Sequence, residues 1–599
     1  MLVKRGNPFF LEETVRTLVE TGALAGEHGA YRLTRPVEAL QVPATVQTIL
    51  AARIDRLPPE EKRLLQAASV IGKDVPYTLL AAIAEQPEEA LRRGLGHLQE
   101  AEFLYETLLF PDLEFTFKHA LTHDVAHAGL LGERRRALHG AVVAAIERLH
   151  ADRLVEHVER LVHHARQGEV WDKAVRYLRQ AGLKAFMRSA NREAANSFEQ
   201  ALEALGRLPQ QPDTIAESLD IRFDLRTALA PLGEWTRMGN LLDEAEVLAE
   251  AAGDRRRLAH ALNYKLIQLV LTGDVAEGLR AGLRALAIGE AQADLAIQVV
   301  ANGNVGLAFM VRGEYRAALR HCEAAISLIP EDRAQERFGQ AAIRGVFGRS
   351  HLAIALGALG RFDEAFGRIR EALDIAEEAG HDYSLLGPLV NFGTLKIDQG
   401  DFAGALAPLE RGLDLCRTRE APLPLPDFAW ALGAAYHGIG RRAEGVALMA
   451  DAARGVAERG VTFSWWAGRV AALGGAYLLD GRLTDATRIA QEGLVAARQR
   501  GEQGAEGHLL KLLGDIAARP DRVEAATAEA HYRQALALAE ALGLRPLMAH
   551  CHLGLGALYL RASTCEQARE HLTMAVTMFG EMDMLHWREQ AKMAMTELA

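Results

Sequence analysis

The sequence has little cysteine, no long uninterrupted apolar stretch and no excess of positive charge. Four cysteines in 599 residues, Cys322, Cys416, Cys551 and Cys565, are too few and too scattered to staple so long a chain, which excludes a disulfide scaffold and fits a reducing compartment. No window reaches the ~18 consecutive apolar residues that a membrane-spanning helix needs, and the start lacks a basic-then-apolar secretory signal. A cytoplasmic location, with no membrane partner, is the expectation. A net charge of −11 without a long basic run leaves counterion release little to act on, so no nucleic-acid partner is expected. The phosphate-cradling pattern G-x-x-x-x-G-K-[ST] is also missing: the one Gly-Lys pair, Gly72-Lys73, is followed by Asp74 and has no glycine at the upstream position. Serine and histidine show no nucleophile-elbow context. The chain is therefore expected not to be an enzyme by itself.

What is present is a repeat. With 49% hydrophobic and 25% charged residues the chain reads as globular, and its length demands several domains or an array. A glycine opens a short turn before an amphipathic segment at Gly233, Gly273, Gly313, Gly360, Gly400, Gly440 and Gly481, at steps of 40, 40, 47, 40, 40 and 41 residues. Five residues after the glycine stands a small residue in most copies (Gly278, Ala318, Ala365, Ala405, Gly445, Ala486), with Met238 the exception, and twelve after stands another. Seven before it a further glycine recurs at Gly306, Gly393, Gly433 and Gly474. Small residues at helical spacing let two antiparallel helices approach closely, so each period predicts a helix hairpin. Less regular copies follow around Gly514 and Gly556, and shorter ones precede at Gly168 and Asn191. The fold class expected is all-α, an α-solenoid with a period of about 40 preceded by a small winged-helix domain. The boundaries read as 1–44, 45–135, a helical connector with the first short repeats over 136–210, and the solenoid over 211–599.

The 45–135 segment carries the winged-helix expectation. It reads as four helices, then a strand at "LYET" and a returning strand at "LEFTF", that is, helices followed by a two-stranded wing. Such a domain can read DNA, but ten Lys and Arg stand against fourteen Asp and Glu here. Arg92 and Arg93, on the helix that would enter a groove, share it with Glu88, Glu89, Glu100 and Glu102. Transcriptional regulation is accordingly the least favoured of the functions considered.

The hairpin period resembles the tetratricopeptide repeat, with helices longer than that family's usual ~34-residue unit implies. The order of "GNPFFLEE", "YRLTRPVEALQVPATVQTILAARIDRLPPEEKRLLQAASVIG", "FKHALTHDVAHAGLL" and "LVHHARQGEVWDKAVRYLRQAG" is similar to the C-terminal half of bacterial STAND-type signal-transduction ATPases. The nearest likeness is to proteins joining a class III adenylate or guanylate cyclase domain, an AAA-like ATPase and a tetratricopeptide tail. That resemblance implies a lid-helix remnant over 1–44, in which Gly6 and Pro8 of Gly6-Asn7-Pro8 match the Gly-x-Pro motif packing on the adenine. It also implies that His119 in "KHALTHDVA" matches the histidine that reaches the ADP β-phosphate, although Lys118 and Ala120 replace the flanking Met and Asp of the family's signature.

The resemblance further implies ATP or ADP as the parent family's cofactor, with none held by this chain alone because the P-loop core, expected ahead of Met1, is missing. The expected role is a non-catalytic regulatory and interaction module with a protein or peptide on the concave face. The alternative is one half of a split or truncated cyclase-ATPase, active only with a separate ATPase or cyclase half. No metal is expected: His550 and His552 flank Cys551 on one helix, where consecutive side chains diverge by about 100°, and seven helical residues, a rise of about 10 Å, separate His157 from His164.

Overall fold

The computed structural model describes residues 8–26, 30–34, 45–108, 113–418, 424–458, 466–519 and 524–598. It separates into two compact units, Met1–Thr214 and Ile215–Ala599.

The first unit begins with α1 (Pro8–Glu20) and a two-residue ladder, β1 (Leu24–Ala25) on β2 (Arg32–Leu33). Next come α2 (Val46–Asp55), α3 (Pro59–Ile71), β3 (Asp74–Pro76), α4 (Tyr77–Ile83), α5 (Glu88–Glu100), β4 (Leu104–Leu108) and β5 (Glu114–Phe117). Local chemistry sets the helix starts. The Thr45 hydroxyl accepts from the Thr48 amide at the head of α2, and α3 opens on Pro59 with Glu60 and Glu61 at its positive end. The sheet has three antiparallel strands in the order β3-β5-β4, one more than the sequence suggests. β3 was missed because three residues are too few to display alternation; Val75 is nonetheless fully buried against the register partner Phe115. Five helices complete the unit: α6 (Ala120–Ala128), α7 (Gly132–Leu149), α8 (Val158–Gln167), α9 (Trp171–Met187) and α10 (Asn191–Leu205).

α1 is bound to this unit by charge. Arg53, 4% exposed, donates to Glu13 at 2.5 Å, to Glu20 at 3.1 Å and to the Ala101 carbonyl at 2.9 Å, with its guanidinium 4.7 Å above the Phe103 ring. Glu102 receives both Arg16 and Lys118, and Lys118 also reaches Glu12 at 3.1 Å.

The second unit is a stack of helix hairpins. α11 (Pro212–Leu232) leads into α12 (Trp235–Ala252), which packs on α13 (Arg255–Thr272); α13 pairs with α14 (Val275–Ala291), and α15 (Leu295–Arg312) with α16 (Tyr315–Ser327). The next are α17 (Arg344–Ala358) with α18 (Phe362–Glu378), α19 (Asp382–Gln399) with α20 (Leu406–Thr418), and α21 (Leu425–Gly438) with α22 (Arg442–Glu458). Then α23 (Trp466–Leu479) pairs with α24 (Leu483–Arg500), α25 (Gln503–Ala517) with α26 (Ala525–Leu542), and α27 (Arg545–Arg561) with α28 (Cys565–Glu581), before the closing α29 (Leu585–Thr596).

All seven predicted turn glycines have φ between 72° and 99°, the left-handed conformation that only glycine adopts at little cost, and each follows the end of a helix; the next helix opens two residues on, except after Gly400, where α20 opens at Leu406. The small positions sit where two helices touch. A Cβ on Gly445 would stand 2.5 Å from the Gly433 carbonyl oxygen, and one on Gly306 2.7 Å from Cys322 Sγ. Gly514 and Gly556 are not turn residues: they lie inside α25 and α27, in the register of Gly433, and the turn after α27 is made by Ser563 at φ 59°. The extra residues of the 47-residue step fall between α16 and α17, where Phe338 folds onto Val299 and Val300 of α15.

First helices of successive hairpins touch one another, α13 on α15, α15 on α17 and α17 on α19, while among the described residues no comparable contact joins successive second helices. The first helices therefore form the inner layer. The coil also closes on itself. A Cβ on Gly313 would meet the Gly504 amide nitrogen at 2.6 Å, one on Gly360 the Met582 sulfur at 2.5 Å, and one on Gly400 the His586 Cβ at 2.7 Å, while Trp587 donates to the Asp398 carbonyl at 3.2 Å.

Candidate functional site

Seven residues before a turn glycine, the first helix faces its own second helix, as Gly306 does against Cys322. Two residues earlier, about 200° round the helix, the chain faces away from that partner. This position, nine before the glycine, is Tyr264, Asn304, His351 and Asn391 in four consecutive hairpins, then Ala431 and Ala472. This polar run, half-buried at Tyr264, His351 and Asn391 and buried at Asn304, lies on the inner layer of the second unit.

Its side chains are joined along the coil. Asn391 donates to the Ser350 hydroxyl at 2.9 Å and to the Ser350 carbonyl at 3.1 Å, and the Asn304 side-chain oxygen accepts from Arg344 Nη2 at 2.9 Å. His351 donates through Nδ1 to the Phe347 carbonyl at 2.8 Å, which leaves Nε2 as an acceptor; burial lowers its pKa to about 4, so the ring is neutral. Arg226 lies 3.9 Å over the Tyr264 ring. Arg344 is 5% exposed and stacks on Phe347 at 4.0 Å, its Nε has no hydrogen-bond partner, and no carboxylate lies within ion-pair distance of it among the described residues. Desolvation lowers its pKa to about 10, so it stays charged at neutral pH. A row of amides and neutral imidazole beside an uncompensated guanidinium can take up backbone amides and a carboxylate. The sequence reading missed this run because single polar residues in a helix look like solvent-facing ones; the period of 40 was the signal that could have found it.

Of the residues expected to touch nucleotide, Gly6 lies outside the described residues and Pro8 is the first residue of α1. His119 is half-buried in extended conformation at the N-cap of α6 (φ −136°, ψ 139°). The Glu12–Lys118 ion pair brings the first turns of α1 beside the segment that carries His119. Gly72 ends α3 and Lys73 leads into β3, the reverse of the strand-to-helix order of a phosphate loop. On α27, Cys551 is fully buried with its thiol pushed up to about 12, and His552 pairs with His571 of α28 at 2.8 Å, so this triplet packs as expected.

Residues 347–418 match the tetratricopeptide repeat family. They cover the α17–α20 hairpins, where the polar run reaches His351 and Asn391. An uncharacterized protein of Rhizobium meliloti (strain 1021) is 26% identical over 231 residues, 38% of this chain, and the match spans only 22% of that relative's length. Among solved structures, a Rap protein complexed with competence and sporulation factor aligns at 13% identity over 61% of this chain and 98% of its own, with a TM-score of 0.46. A STAND protein with a tetratricopeptide repeat sensor from Pyrococcus horikoshii aligns at 11% identity over 93% of this chain and 68% of its own, with a TM-score of 0.33. One helix among the described residues, Leu295–Arg312, is long and apolar enough to cross a membrane, and 67% of it is buried in the stack.

Proposed function

We propose that this chain is a non-catalytic regulatory module whose solenoid holds a protein or peptide segment on its inner layer, across α13 to α19. The observation that carries the reading is the polar run Tyr264, Asn304, His351 and Asn391 beside Arg344, a buried cation with no counter-charge. Leaving such a charge unpaired costs several kcal/mol, a cost that a bound carboxylate would offset. The test is cross-linking mass spectrometry on the full chain in lysate of its source cell. Cross-links to α13–α19 that disappear in both Asn391→Ala and Arg344→Met are expected; cross-links indifferent to both variants would sink the reading.

The module belongs, in this proposal, to a nucleotide-switched ATPase of the STAND type, with the 45–135 segment as its winged helix and a separate ATPase or cyclase half supplying chemistry. Two observations support this. The strand order β3-β5-β4, with β3 inserted between α3 and α4, suits a winged helix, and α1 is ion-paired to Lys118, next to His119. Gly6, Pro8 and His119 would contact ATP or ADP only when that half is present. Titration of the isolated chain with ADP is expected to show no binding, and measurable affinity would contradict it. Nucleic-acid binding through α5 is disfavoured by its charge pairing: Arg92 is held by Glu88 at 2.8 Å and His97 by Glu61 at 2.6 Å. Coupling between the two parts requires that the partner bind the two switch states with different affinity.

A further inference from the structure

The first unit contains a cluster of imidazoles that plays no part in the proposed peptide site. His164 of α8, set aside at the sequence level for its distance from His157, finds its neighbour on another helix. Its Nδ1 shares a hydrogen bond of 2.9 Å with Nδ1 of His139 on α7, and both residues are only 2% exposed. His163, the next residue along α8, is exposed; its ring centroid lies 5.8 Å from that of His139 and 5.0 Å from that of His164, nearly perpendicular to both. One ring nitrogen from each of the three lies within 4.8 Å of the others. His163 also lines an open cavity of about 370 Å³ with Glu159, Arg166 and Trp171.

We propose that His139, His163 and His164 form a site for one divalent transition-metal ion of the zinc class, with solvent from the cavity as fourth ligand. The fit is geometric. Zinc at about 2.0–2.1 Å from each nitrogen in a tetrahedron sets the nitrogens about 3.3 Å apart, so the buried pair need separate by only a few tenths of an ångström. His163 has to swing inward by roughly 1.5 Å, which an exposed ring does freely; adjacent helix positions diverge by ~100°, yet the His163 and His164 rings already lean together, with centroids 5.0 Å apart.

The chemistry of the donors agrees. Burial, helped by the neighbouring imidazoles, lowers the pKa of His139 to about 4 and of His164 to about 3, so both rings are neutral; the one that donates in the shared Nδ1 hydrogen bond must move its proton to Nε2 when the ion binds. Three imidazoles and no carboxylate favour zinc, cobalt or nickel over magnesium or calcium. Glu159, on the cavity wall, is engaged by Lys184 at 2.8 Å rather than turned to the cluster.

The test uses tag-free full chain stripped with chelator and titrated with Co²⁺, then with Zn²⁺ against a chromogenic indicator. One equivalent of Co²⁺ with the intense visible absorption of a tetrahedral ion, displaced by Zn²⁺, is expected. His163→Ala, which removes an exposed side chain and leaves the fold alone, should weaken both ions by at least tenfold. Absence of saturable one-to-one uptake would leave a structural histidine pair only and overturn the site. So would uptake that His163→Ala leaves unchanged, since the ion would then be held by other histidines such as His552 and His571. Neither outcome bears on the inner-layer reading, which is tested by cross-linking.

Discussion

Two arginines of almost equal burial set the two units apart. In the first unit Arg53 is 4% exposed and surrounded by the carboxylates of Glu13 and Glu20, a carbonyl and a ring face. In the second, Arg344 is 5% exposed and has an amide oxygen and a ring face but no carboxylate. The same contrast holds for acids: Glu13, 2% exposed, is paired, whereas Glu502, 1% exposed at the junction before α25, has no partner for either oxygen. A charge that is paired inside its own domain holds that domain together. One left without a partner on an inner layer is a place kept for something else, or a stability cost that titrates with pH.

The contrast can be broken from the strongest side first. Glu502 should produce a pH-dependent loss on the order of 5 kcal/mol. Burial raises its folded pKa from 4.5 to about 8, so the folded state keeps a proton that the unfolded chain has released. Its stabilising proton is fully present below pH 4.5, and stability falls as pH rises through the folded value near 8. Denaturation midpoints between pH 5 and 9 should show this slope, and Glu502→Gln should flatten it. Glu13→Ala strands Arg53 in the interior and should cost the first unit about 3–5 kcal/mol, toward the lower end because Glu20 remains, as read by urea denaturation. Arg344→Met removes an unpaired charge but leaves the Asn304 side-chain oxygen without its donor, so the two effects should largely cancel and stability should change by no more than about 1 kcal/mol while partner cross-links are abolished. A marked destabilisation would mean Arg344 is structural after all. Smallest of all, the exposed pair Arg361–Glu364 after the Gly360 turn, which recurs as Arg441–Glu444 and Arg482–Asp485, should lose under about 0.5 kcal/mol on Arg361→Ala.

Legibility followed the range of the interactions. Turn glycines and small residues act within one hairpin, so their spacing declared them: Gly433 and Gly445, twelve apart in sequence, do meet backbone to backbone. β3 was illegible because its three residues have strand character only once β5 lies alongside. The pairing of His164 with His139 was illegible because a whole interhelical segment divides them. The polar run was visible at the period but had no meaning until the first helices proved to be the inner layer.

By itself, then, the amino-acid order determined the hairpin, its period and the left-handed turns, because a missing Cβ and a 3.6-residue repeat are properties of neighbours along the chain. Tertiary structure alone decided which helix layer faces inward and which charges go unpaired. It also decided that turns near Gly313, Gly360 and Gly400 close onto segments about two hundred residues later, at Gly504, Met582 and His586. Those contacts depend on the small rotation added by each hairpin and summed over several, a quantity that no single repeat records.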